Sequence, residues 1–179
     1  VGQPPVVLNP DMVANIHKNG GTILGSSRGP QDPREMADFL ERERVSALFT
    51  IGGDGTQRGA LDLAEELDRR NLKIAIVGIP KTIDNDISFV ARSFGFQTAV
   101  SIATDVLSAA HEEARGALNG IAVVKLMGRN SGFIAADAAV ASGDANFVLV
   151  PEIPFDLDGE RGFLSALAQR LEDRRHALV

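Results

Sequence analysis

The sequence predicts an α/β fold: a doubly wound, mostly parallel sheet with helices on both faces. Three observations carry this. Short β-branched runs alternate with longer amphipathic stretches, the order that βαβ units produce. The short runs are nearly continuous in apolar residues rather than alternating, as strands covered on both faces are. The chain has 179 residues, enough for one domain with a full core.

In chain order, Asn9-Pro10 opens a helix expected to reach Lys18, with proline at its first position. Thr22–Leu24 is the first expected strand. Asp32-Pro33 opens a helix with Met36, Ala37, Phe39 and Leu40 at helical spacing. Ala47–Ile51 is a strand, and Thr56–Arg70 a helix with Leu61, Ala64 and Leu67. Lys73–Gly78 is the third strand. Phe96–Arg115 is the longest helix. The strand Ile121–Met127, the small-residue helix Ser131–Ala141, the strand Phe147–Val150 and the helix Arg161–Arg175 follow. Another apolar strand begins at His176. Crossovers between parallel strands are expected to be right-handed. Ligands then belong at the carboxyl ends of the strands.

Composition narrows the function. Hydrophobic residues are 44% and charged residues 23%, the balance of an ordinary globular protein. The net charge is −6, which argues against sequence-independent binding to nucleic acid. There is no cysteine, so disulfides and thiolate-held metals are excluded. No apolar run approaches the roughly 20 residues of a membrane span. His17, His111 and His176 fall in or beside expected helices and read as structural, as do Phe94 and Phe96. Arg69-Arg70 and Glu172–Arg175 read as solvated helix surface.

Two loops carry chemistry. Gly52-Gly53-Asp54-Gly55-Thr56 joins a strand to a helix. Glycines let the backbone approach a polyphosphate, and the helix start points N–H groups at it. Asp54 offers a hard oxygen to Mg²⁺. The same residues also suit a tight strand-to-helix turn with a capping aspartate, and they resemble the nucleotide loop of NAD kinases and lipid kinases. Pro80-Lys81-Thr82-Ile83-Asp84-Asn85-Asp86 follows the next strand. One of its acids can accept a proton from a hydroxyl nucleophile while the other holds metal or structure. Lys81 can neutralise a phosphoryl group in transfer. A polar loop with an Asx-turn at Asp84 or Asn85 explains the spacing equally well.

The segment "PKTIDND" after "GGDGT" resembles the phosphofructokinase family. "VKLMGRNSG", with Met127, Gly128 and Arg129, is similar to the family's sugar-phosphate strand end. "GGTILGSSRG", Gly20–Gly29, is similar to its donor loop, and "VLVPEIPF", Val148–Phe155, to a further family segment. The resemblance runs from about residue 5 to the end. It implies transfer of the γ-phosphoryl group of ATP to the 1-hydroxyl of fructose 6-phosphate, with Mg²⁺, in glycolysis. Pyrophosphate is the alternative donor.

It also implies roles for residues. Asp84 matches the general base, Asp54 the metal-holding acid and Asp86 the second acid. Thr82 and Lys81 match positions at the transferring phosphoryl group. Arg28, Gly53, Gly55 and Thr56 match donor contacts, and Met127, Gly128 and Arg129 match sugar-phosphate contacts. Two positions depart from the common bacterial ATP enzyme, which has Gly at Lys81 and, at Gly120, an Arg that reaches the neighbouring subunit's substrate. Both departures resemble the plant and trypanosomal branch, which is related to pyrophosphate enzymes yet largely uses ATP. Residues 1–179 are expected to be the family's N-terminal donor-binding and catalytic domain, incomplete at both ends and inactive alone. The full-length protein is expected to be a cytoplasmic homo-oligomer.

Overall fold

The computed structural model describes residues 5–27 and 29–179. It divides into two compact units, residues 1–32 and 33–179.

In the first unit, α1 (Pro10–Val13) is capped by Asn9, whose side chain accepts from the Met12 amide at 2.9 Å. The expected helix to Lys18 does not form. Ala14 is extended and Asn15 is left-handed, at φ 61°, so the chain restarts as a 3₁₀ turn over Ile16–Lys18. Thr22–Leu24 is not a strand either. The Thr22 hydroxyl accepts from the Leu24 amide at 3.1 Å, a local bond that competes with sheet pairing.

The second unit is a doubly wound α/β fold. Its elements are α2 (Pro33–Arg42), β1 (Ala47–Gly52), α3 (Asp54–Arg69), β2 (Ala75–Thr82), β3 (Phe94–Gly95), α4 (Phe96–Gly116), β4 (Gly120–Ala122), α5 (Phe133–Ser142), α6 (Phe163–Arg174) and β5 (His176–Leu178). All strand pairs are parallel, as expected. They form a three-stranded sheet in the order β1-β2-β3 and a two-stranded sheet of β4 and β5.

Two apolar clusters hold these elements. Ala37 and Leu40 of α2 meet Leu63 and Leu67 of α3, with Leu48 and Ile76 from the sheet beneath. Phe96, Val100, Ala103 and Leu107 of α4 meet Ile134 and Ala138 of α5 and Leu178 of β5. The small residues of α5 let α4 approach closely.

Several boundaries differ from expectation. β2 begins two residues late, where its register with β1 pairs Ala75 with Ala47, and runs on to Thr82 because Lys81 and Thr82 pair with Phe94 and Gly95 of β3. The strand expected over Ile121–Met127 shrinks to β4, and its last link is Val124 N–H to the Val179 carbonyl at 2.9 Å. Phe147–Val150 forms no strand. The Leu178 amide that a ladder would use donates instead to the Asn146 side chain, at 2.9 Å. Among the described residues β1 and β2 are covered on one face rather than two: Phe49 is 61%, Ile51 46% and Val77 41% exposed. Phe96 is core, but Phe94 is exposed. Arg70 is not solvated surface; it is 22% exposed and bound to Glu66 and Asp38.

Candidate active site

β1 and β2 run side by side, and the last residue of β1, Gly52, lies opposite Pro80 near the end of β2. The glycine loop and the acidic loop therefore leave the sheet at the same end. α3 begins at Asp54, with Gly53 as its N-cap and no side chain capping the first turn. Such a start carries the partial positive charge that attracts phosphate oxygens.

The two loops are neighbours. A Cβ added to Gly53 would meet the Thr82 Cβ at 3.4 Å, so the gap between the glycine backbone and the threonine is about one methyl wide. A side chain on Gly52 would collide with Thr56. A side chain on Gly55 would meet nothing within 4 Å. Gln57 fastens the strand ends: its amide donates to the Gly52 carbonyl of β1 and the Ile79 carbonyl of β2, both at 3.1 Å.

The acidic loop is held through its backbone. The Asp84 amide donates to the Thr82 hydroxyl at 3.1 Å. Asn85 is left-handed, at φ 56°. Its Oδ1 accepts from the Ser93 amide at 2.8 Å, and its Nδ2 donates to the Ala91 carbonyl at 3.3 Å. The Ser93 hydroxyl donates to the Thr82 carbonyl at 2.6 Å, and the Ser131 hydroxyl to the Asp84 carbonyl at 2.7 Å. The expected Asx-turn is therefore not what Asn85 makes: its side chain reaches six and eight residues ahead, and the bond from an amide two residues on is accepted by the Thr82 hydroxyl. Asp84 is half-buried, while Lys81 and Asp86 are exposed.

Met127, Gly128 and Arg129 form the turn that leads to α5. Gly128 is at φ 119°, and a side chain there would strike the Ser131 carbonyl, which explains a glycine at this position. Met127 is 71% exposed and Arg129 is exposed. The Glu152 carboxylate accepts from the Gly132 amide, at 2.8 and 3.1 Å, where the start of α5 favours negative charge. A cavity of about 330 Å³ lies beside this turn, lined by Leu126, Met127, Gly128, Ala135, Phe147 and Leu149 among others. None of Asp54, Asp84 or Asp86 lines it, so it is a gap between α5 and its flanking chain rather than the place where the acids meet.

A family model described as phosphofructokinase matches residues 3–179. The chain belongs to the phosphofructokinase family. It is 57% identical over 182 residues to an ATP-dependent 6-phosphofructokinase of Borreliella burgdorferi, covering 98% of this chain and 41% of the relative. It is 56% identical over 177 residues to an ATP-dependent 6-phosphofructokinase of Trypanosoma brucei brucei, covering 99% of this chain and 36% of the relative. Among solved structures, it resembles a pyrophosphate-dependent phosphofructokinase from Marinobacter aquaeolei. That match has a TM-score of 0.73 and 28% identity over 89% of this chain and 42% of the other. The chain thus spans well under half the length of these relatives.

The two phosphofructokinase-like motifs fall at adjacent strand ends, and a bond from Ser131, inside the third motif, reaches the second. Arg28 lies outside the described residues. Asp54 pairs with Arg58, at 2.9 Å. Among the described residues no cluster of three or more His, Cys, Asp or Glu could hold a metal. The phosphofructokinase resemblance implies Mg²⁺ at Asp54, and this setting fits it, since Mg²⁺ needs only one or two carboxylates when phosphate and water supply the rest.

Gln57 and Ser93 shape these loops from outside the phosphofructokinase-like segments, whereas Asn85, Ser131 and Glu152 lie inside them with no sequence signal of the bonds they make. The two buried serines leave no periodic trace, and Gln57 reads as helix surface. Gly120 also gains a reason in this phosphofructokinase fold, because a side chain there would strike the Ala114 carbonyl at the start of β4.

Proposed function

We propose that this chain is the donor-binding and catalytic part of a 6-phosphofructokinase that uses ATP and Mg²⁺. The observation that carries the reading is the adjacency of the two strand ends, Gly52 opposite Pro80 and tied by Gln57, which supports a donor loop and an acid loop acting on one phosphoryl group. Gly53, Gly55, Thr56 and Arg28 hold the donor. Met127, Gly128 and Arg129 hold the sugar phosphate. Asp84 takes the proton from the 1-hydroxyl of fructose 6-phosphate as that oxygen bonds to the γ-phosphorus. The bond from the γ-phosphorus to the bridging oxygen breaks, and ADP leaves. Thr82 and Lys81 face the charge on the group in transfer, and Asp86 is the second acid of the loop. Bound Mg²⁺, held by Asp54, supplies neutralising charge to the donor phosphates.

The ATP-dependent names of the two relatives at 57% and 56% identity support this donor. So does the open space at Gly55. Lys81 favours pyrophosphate instead, because a long cation can anchor a small donor that has no base or ribose. Fructose 1,6-bisphosphate formation by the full-length protein, assayed with each donor, decides. A rate with ATP no greater than a buffer control would end the ATP reading. Among the described residues no helix is long and apolar enough to cross a membrane. Cytoplasmic placement and homo-oligomerisation of the full-length protein belong to the same proposal.

A further inference from the structure

Two buried polar side chains stand out among the described residues, Ser93 and Ser131, each 5% exposed. Both direct their hydroxyls at one short stretch of backbone. Ser93, just before β3, donates to the Thr82 carbonyl at 2.6 Å. Ser131, just before α5, donates to the Asp84 carbonyl at 2.7 Å and joins residues 47 positions apart. A buried carbonyl that loses its donor is costly, so paired groups of this kind over-determine the backbone they hold.

The bonds differ in what they connect. Ser93 also bonds Asn85, at 3.1 Å, and keeps the acidic loop closed on itself, as any ordered turn requires. Ser131 does something a turn does not need. Its amide donates to the Gly128 carbonyl at 3.4 Å, and its own carbonyl packs where a side chain on Gly128 would lie. The same residue that shapes the Met127–Arg129 turn therefore grips the main chain of Asp84.

We infer that Ser131 is a positioning residue for phosphoryl transfer: its hydroxyl sets the Asp84 backbone and the sugar-phosphate turn in one frame. The inference rests on the proposed function for the roles of Asp84 and that turn. In-line transfer tolerates little error, and a displacement of about 1 Å can cost on the order of 100-fold in rate. One hydroxyl that fixes base and acceptor relative to each other is a direct way to meet that tolerance.

The test uses the full-length protein with Ser131→Ala, Ser131→Cys and Ser131→Thr. Cysteine keeps nearly the same volume but is a weak donor, whereas threonine keeps the hydroxyl. We expect kcat to fall roughly 10-fold or more in the alanine and cysteine variants. The donor KM should stay within about twofold, and threonine should recover most of the rate. A merely structural serine would not sort the variants by hydroxyl. Amide hydrogen exchange gives a reading independent of activity: residues 83–86 should exchange faster in the cysteine variant while α3 keeps its protection. Equal kcat in the cysteine and threonine variants, or unchanged exchange at 83–86, would overturn the inference. If the alanine variant does not fold, the other two carry the comparison. If the parent makes no fructose 1,6-bisphosphate with either donor, the proposed function falls, and the exchange measurement still decides whether Ser131 holds the loop.

Discussion

Arg58 holds Asp54 from one helical turn away, with Nη2 2.9 Å from Oδ2 and Nε 3.2 Å from Oδ1. Both side chains are exposed, and exposed pairs of this spacing contribute only about 0.3–0.5 kcal/mol. The pair matters because the same carboxylate is proposed to hold Mg²⁺. Arg58→Ala should lower the half-saturating Mg²⁺ concentration about twofold, the equivalent of that pairing energy. Asp54→Ala should raise both the Mg²⁺ requirement and the donor KM. Titrating Mg²⁺ at fixed ATP reads both, and unchanged half-saturation in the two variants would put the metal elsewhere.

Asp84→Asn removes the proposed proton acceptor at constant size. Turnover should fall by roughly 10²–10⁴-fold, the usual contribution of a general base. Donor affinity should change little, since the carboxylate is proposed to act on the sugar hydroxyl. Steady-state kcat and both KM values check this, and turnover within twofold of the parent would remove Asp84 from the role.

Gly55→Asp tests donor choice. An added side chain finds open space at the start of α3, where the remainder of a nucleotide would have to lie. Steric exclusion should dominate, so kcat/KM for ATP should drop far more than kcat/KM for pyrophosphate. An unaffected ATP reaction in this variant would count against the proposed seat of the nucleotide.

Stability near α2 and α3 should depend on pH through Glu66. Hydrogen bonds from Arg69, and then from Arg70, hold its carboxyl well below the ordinary value of 4.5, at about 2. The Arg69 bonds are 2.8 and 2.7 Å and the Arg70 bond is 2.5 Å. Arg70 also binds the Asp38 carboxylate and the Arg34 carbonyl on α2, so the cluster joins two helices. A carboxyl depressed by folding stabilises fully above its unfolded value. That stabilisation is lost as pH falls from about 4.5 through about 2. In urea melts at pH 5 and pH 3, Glu66→Gln should lose less stability than the parent. Equal losses would show that the cluster does not form in solution.

Much of this fold is legible in local patterns. The apolar run Ala47–Ile51 is β1 to within one residue, and Phe96, Val100, Ala103 and Leu107 mark the buried face of α4 at helical spacing. Thr22–Leu24 and Phe147–Val150 have the same β-branched character and yet are not strands. A ladder needs a partner, and side chains of Thr22 and Asn146 take the amides in question. The site divides in the same way. Clustered Gly, Asp and Lys announce the two loops, because backbone approach and charge require those residue types. Ser131 sits inside a recognisable segment, yet its role is not legible there, because it lies in a bond across 47 residues.

Gln57 and Gly78 do not change independently. The Gln57 amide ties the ends of β1 and β2, and its Oε1 fills the space that any side chain on Gly78 would need. Gly78→Ala alone presses on that amide. Gln57→Ala alone leaves two strand-end carbonyls without their donor. The two positions are therefore coupled. A methyl on Gly78 is admitted as the flexible glutamine amide swings aside. That swing takes it off the strand-end carbonyls on which both loops stand, so enlarging the glycine loosens the site at a distance.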